Sequence, residues 1–117
     1  YNEAFASCDF LRLPPDGEGN AWHLFLLRLD LDRLRCDRDT FAKELQARGV
    51  GISVHFIPIF HFSYWQKLYE GFDAAHFPNA EQHYNETISI PLFPDMSGED
   101  IDFVVDSIRQ IGEKYHA

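Results

Sequence analysis

The longest alternation of apolar side chains runs from Ala21 to Leu31, and it predicts the principal strand. Trp22, Leu24 and Leu26 fall on one face of such a strand, and His23, Phe25, Leu27 and Leu29 on the other. Both faces are largely apolar, so the strand is expected to be central and covered on both sides, with Arg28 ending the covered stretch on its face. Phe10 to Leu13 predicts a shorter strand, separated from the first by Pro14 to Asn20, a loop by its turn chemistry. Val50 to Phe56 predicts a third strand, with Ile52, Val54 and Phe56 opposite Ser53 and His55. Ile88 to Ile90 predicts a fourth, ended by Pro91 and Pro94.

A helical period appears elsewhere. Asp37 to Arg48 carries the stripe Phe41, Ala42 and Leu45, with Asp37 placed to cap the first turn and Gly49 placed to end the helix. Ser63 can cap a short helix through Tyr69, ended by Gly71, and another starts at Phe77-Pro78-Asn79 and runs to about Thr87. Ser97-Gly98-Glu99-Asp100 forms a capping box with Asp in place of Glu, and Ile101, Val104, Val105, Ile108 and Ile111 follow at helical spacing. Tyr1 to Ser7 reads as the end of a helix that starts before this segment. The element order predicts an α+β fold, a small, mostly antiparallel sheet with helices packed on one side.

The length, 117 residues, suits one domain over residues 1–117 with one hydrophobic core. A content of 45% hydrophobic and 15% aromatic residues excludes a disordered chain. The net charge of −9 argues against nucleic acid and against an anionic membrane surface as partners, because both need a cationic face. No apolar run is long enough to span a bilayer and Tyr1 to Phe10 has no leader pattern, so a cytoplasmic location is expected. Arg28, Arg33, Arg35 and Arg38 interleave with Asp30, Asp32, Asp37 and Asp39, which predicts a mixed, solvated surface. Cys8 and Cys36 form no metal-ligand spacing and read as free thiols.

Candidate chemistry is sparse. Six histidines are present, but none stands in an HExxH or HxH arrangement. No glycine-rich phosphate loop and no nucleophile elbow occurs. Lys43, Lys67 and Lys114 sit at polar helix positions, whereas an imine-forming lysine needs burial or a cationic neighbour. Ser53 to Trp65 differs from the rest: it is dense in aromatics, holds His55 and His61, and lies where a strand breaks into a loop at Pro58. By composition it is either a functional loop or an ordinary core segment with two satisfied histidines.

At this segment the chain resembles the DegT/StrS family of sugar aminotransferases. The resemblance rests on Val54-His55-Phe56-Ile57-Pro58-Ile59-Phe60-His61-Phe62-Ser63-Tyr64-Trp65, on Phe77-Pro78-Asn79-Ala80-Glu81, and on Thr87-Ile88-Ser89-Ile90-Pro91-Leu92-Phe93-Pro94 followed by Ser97 to Ile101. Ala21 to Phe25, Arg38-Asp39 and Gly49 add to it, in order and at matching gaps over essentially the whole chain. It implies the C-terminal small domain of a larger enzyme. The enzyme's absent large domain would be this chain's partner and would carry pyridoxal phosphate and the lysine that bonds it. The implied reaction transfers an amino group from glutamate or glutamine to a keto sugar, usually nucleotide-linked, in a homodimer. The fragment alone is expected to be inactive. His55 matches the family's histidine and is implied as a substrate contact, with Pro58 fixing the following loop. Phe60 stands where a second histidine is common and Ser63 where a proline is common; His61, one place later, is the substitute candidate for substrate binding. The rival expectation is a non-catalytic binding or dimer-support module that keeps the fold.

Overall fold

The computed structural model describes residues 1–15 and 17–117; Asp16, in the turn expected at Pro14 to Asn20, lies outside the described residues. Three strands form one antiparallel sheet in the order β1 (Leu11–Arg12), β2 (Phe25–Leu29), β3 (Thr87–Ile90). The register pairs Leu11 with Leu29, Phe25 with Ile90 and Leu27 with Ile88, so these apolar side chains share one face. On the other face Arg12 pairs with Arg28, Arg28 with Thr87, and Leu26 with Ser89.

The inner face meets α2 (Arg38–Ala47) and α5 (Gly98–Tyr115) in one continuous core. Phe41, Ala42 and Leu45 are buried from α2, and Val104, Val105, Ile108 and Ile111 from α5, as their helical spacing requires. Short helices α1 (Asn2–Phe5), α3 (Ser63–Leu68) and α4 (Pro78–Glu86) complete the architecture. The α+β design with helices against one sheet face is the one the pattern predicts. None of the helices described is long and apolar enough to cross a membrane.

Several expectations need correction. Val50 to Phe56 is not a strand: only Ser53 bridges to Ser89, and the chain then leaves the sheet. The second face of β2 is not covered by the described residues, and Trp22, Leu24 and Leu26 are only half-buried. Ser63 does not cap α3; it is the first helical residue, and Phe62 occupies the cap position without a side-chain bond. Arg28 and Arg38 are not part of a solvated mixed surface. Arg38 is buried, donating from Nη1 to the carbonyls of Tyr84 (3.2 Å) and Thr87 (3.4 Å), with its guanidinium 4.9 Å from the Tyr84 ring centre.

The caps match their sequence signatures. The Asp37 carboxylate accepts from the Thr40 amide at 2.8 Å, and Gly49 ends α2 at φ +89°. Ser97 Oγ accepts from the Asp100 amide (3.1 Å) while Asp100 Oδ2 accepts from the Ser97 amide (2.9 Å), closing the capping box. Hydrogen bonds from Thr40 and from Ser97 hold the carboxyls of Asp37 and Asp100 below their ordinary value. A lowered folded-state value means this stabilisation is complete above the unfolded carboxyl value. It is lost as pH falls through the lowered values. Urea midpoints measured down the acid range should therefore fall, and Asp37→Asn with Asp100→Asn should flatten that fall.

Gly112 gives a second test. It lies inside α5 and is buried, and a Cβ built there would collide with the Phe10 ring. Helix propensity alone makes Gly112→Ala stabilising by about 1 kcal/mol. Overpacking costs about 1–3 kcal/mol, so a net loss is expected in thermal unfolding. Phe10→Leu should recover part of it in the double variant. A Gly112→Ala variant that melts higher than the parent would refute the packing.

Candidate functional site

Ser53 and Ser89 fix the start of the site. Their backbones exchange two hydrogen bonds, Ser53 N to Ser89 O at 3.0 Å and Ser89 N to Ser53 O at 2.8 Å. A directly opposed pair presents both side chains on the same face, here the outer face that also carries Leu26. His55 follows two residues beyond the bridge. It lines an open cleft of about 300 Å³ with Ser53, Ser89, Leu24, Pro91 and Leu92. The His55 Nδ1 is shut off from solvent and has no hydrogen-bond partner. Tyr1 braces the far wall, its hydroxyl donating to the Pro91 carbonyl at 2.9 Å. Burial, with the nearby Asp100 charge adding to it, pushes that phenol up to about 12.

Pro58 and His61 come together, but not in this cleft. Pro58 leads the 3-10 turn Ile59–His61, and its carbonyl accepts from the His61 amide at 3.0 Å. The His61 Nε2 lies 2.6 Å from Glu81 Oε2 on α4, and its ring is 5.8 Å from that of Tyr84. Phe60, between them in the turn, is buried and stacks on Phe77 with ring centres 5.4 Å apart. A histidine at position 60 would sit in that aromatic contact, whereas the imidazole at position 61 faces α4.

The segment after His55 is mostly uncovered. Phe56 is 79% exposed and Tyr64 67% exposed, and Ile57, Ile59, Phe62, Leu68 and Tyr69 are exposed as well. Exposed apolar side chains this dense along one segment form a candidate contact surface. The segment is thus not an ordinary core strand.

Two groups of residues escaped sequence reasoning. Ser53 and Ser89 pair across the bridge although 36 positions separate them, so no local pattern announces them. The buried Glu86 carboxylate takes Arg28 at 2.6 Å and Arg12 at 3.4 Å, and Arg12 also lies 3.1 Å from Asp30. Among the described residues no group of three or more His, Cys, Asp or Glu side chains could hold a metal ion.

The DegT/DnrJ/EryC1/StrS aminotransferase family model matches residues 1–109. The chain belongs to this family. The spore coat polysaccharide biosynthesis protein SpsC of Bacillus subtilis is 38% identical over 114 residues, covering 95% of this chain and 29% of SpsC. Among solved structures, the aminotransferase TlmJ from Streptoalloteichus hindustanus is 26% identical, with a TM-score of 0.80 over 97% of this chain and 29% of TlmJ. Spr1654 from Streptococcus pneumoniae, solved in a PLP-form, is 25% identical, with a TM-score of 0.84 over 97% of this chain and 29% of its own. This member of the DegT/DnrJ/EryC1/StrS family therefore spans about three tenths of the length of the relatives it matches. Its His55 cleft and the exposed stretch after it both fall inside the matched residues.

Proposed function

We propose that this chain is the small, substrate-closing domain of a pyridoxal-phosphate-dependent aminotransferase. The parent enzyme moves an amino group from glutamate or glutamine to a keto sugar carried on a nucleotide, and it works as a homodimer. The observation that carries the reading is the set of exposed apolar side chains Phe56, Ile57, Ile59, Phe62, Tyr64 and Tyr69 that follows the His55 cleft, in a family member that spans 29% of its relative SpsC. An apolar stretch of that kind is matched by a covering partner, which the remainder of the parent supplies. SpsC, a polysaccharide biosynthesis protein, and the PLP-form of Spr1654 support the substrate class and the cofactor.

The lysines of this chain do not fit covalent attachment of the cofactor. Lys43, Lys67 and Lys114 are all exposed. A hydrogen bond from Lys114 to Glu44 at 2.7 Å raises the Lys114 value and keeps it cationic. When bound, the cofactor supplies the electron sink, and the protein supplies binding and orientation. His55 lines the wall of the substrate cleft, Pro58 sets the turn beyond it, and His61, through Glu81, holds that turn against α4.

Amino transfer to a nucleotide-linked keto sugar by the parent protein is the deciding assay. Removal of one substrate hydrogen bond in His55→Ala should lower kcat/KM by about tenfold. The 117-residue chain mixed with pyridoxal phosphate should show no protein-bound cofactor spectrum. A parent that folds, dimerises and transfers no amino group would favour a binding or dimer-support module instead.

A further inference from the structure

Away from the His55 cleft, α5 carries an aromatic side chain that the core does not use. Ile101, Val104, Val105 and Ile108 pack into or against the core, whereas Phe103 stands exposed. Phe103 lines two open grooves, each of about 350 Å³. The first is walled by Gly49, Gly51, Phe93 and Met96, over a floor of the buried Val50 and Val104. The second lies between Arg48, at the end of α2, and Asp106 and Gln110 of α5. Phe93 is exposed as well, so two aromatic rings face solvent on this side of the molecule.

Carboxylates rim this apolar strip. Glu99 and Asp100 stand one helical turn before Phe103 and Asp106 one turn after it, so all three share its side of α5. Asp95 and Asp102 are exposed beside them. No lysine, arginine or histidine occurs between His83 and Arg109. Among the described residues, the ion pairs use other carboxylates. Arg48, the cation lining the second groove, donates to Gln110 at 2.7 Å. Like charges along one helix face repel, and cations on an incoming surface relieve that repulsion. A second copy of the chain would instead bring the same carboxylates to the same place, with the net charge of −9 adding to the penalty.

We propose that the Phe93–Phe103 groove docks an amphipathic helix of another protein, one whose apolar side chains are flanked by lysines or arginines. Glu99 and Asp106 stand two turns apart, about 10 Å along the axis. Cations two turns apart on the incoming helix meet both carboxylates, while the apolar side chain between them lies against Phe103 and Phe93. The proposal does not depend on the aminotransferase reading: Phe93, Met96, Phe103 and the carboxylates all lie outside the His55 cleft.

Met96 is the chain's one methionine and lines the groove, so carbon-13 NMR of its methyl group reads the docking. The titrant is a synthetic helical peptide of about four turns, with leucine and phenylalanine on one face and lysines beside them. The control peptide carries glutamate in place of each lysine. The lysine peptide should shift the Met96 methyl and bind less tightly as salt rises, and the glutamate peptide should leave the methyl in place. Phe103→Ala should weaken binding about tenfold, as should the triple change Glu99→Gln, Asp102→Asn and Asp106→Asn. Glu70→Gln, beyond the end of α3, should leave it unchanged. The full-length parent should bind the lysine peptide as the chain does. No shift with the lysine peptide, or equal binding of the glutamate peptide, would overturn the proposal. A Met96 signal that moves with the chain's own concentration would give the groove to a second copy instead. A parent that ignores the peptide while the chain binds it would show that the parent's own remainder covers the groove, and the proposal would fall.

Discussion

Phe41→Ala is expected to lower the free energy of unfolding by about 3–5 kcal/mol. Phe41 is fully buried on α2, the helix that packs against both α5 and β3. Removing the ring loses its transfer from water and leaves a cavity that Leu45, Ile88 and Ile108, all at 0% exposure in the same core, can fill only in part. Domains of this size have about 5–15 kcal/mol to lose, so the variant should sit close to unfolding at room temperature. Urea titration should show a much lower midpoint with an unchanged slope. Phe103 on α5 is 51% exposed and serves as the control, with Phe103→Ala expected within about 0.5 kcal/mol of the parent. Equal losses from the two changes would mean that the core is not where α2 places it.

Glu86→Ala is expected to cost about 2–3 kcal/mol, less than a wholly buried ion pair because both arginines keep some water. The Glu86 side chain is 7% exposed against 32% for Arg28 and 40% for Arg12. Its Oε2 takes both guanidinium groups and its Oε1 accepts from Gln82 at 2.7 Å. Without the carboxylate, two like charges are left side by side on one sheet face, Arg12 opposite Arg28 in the ladder. Glu86→Gln keeps an acceptor and loses the charge, so it should fall between parent and alanine. Pairing Glu86→Leu with Arg28→Met should recover much of the loss, because an apolar pair removes the stranded charge. If chemical denaturation shows Glu86→Ala to be neutral, the cluster is a surface arrangement only.

Much of this molecule was legible in its residues. The stripe of α5 and its Ser97–Asp100 capping box, the Asp37 cap and Gly49 stop of α2, and the alternation of Phe25, Leu27 and Leu29 each depend on neighbours within a turn or two. Local chemistry therefore determined them. Family membership was legible for the same reason, since the blocks around His55, Phe77 and Thr87 are read in order along the chain. Tertiary structure decided what depends on distant partners. Ile52, Val54 and Phe56 alternate as a strand should, but only Ser89 is there to bond with, so one bridge forms and the aromatic side chains stay in water. Arg38 is buried because carbonyls 46 and 49 residues away receive it, and Arg28 is held because Glu86 reaches it across 58. The cleft that joins Ser53, His55 and Ser89 exists only once the sheet has closed. A hydrogen bond between remote segments has no periodicity along the sequence and becomes visible only when the chain brings its ends together.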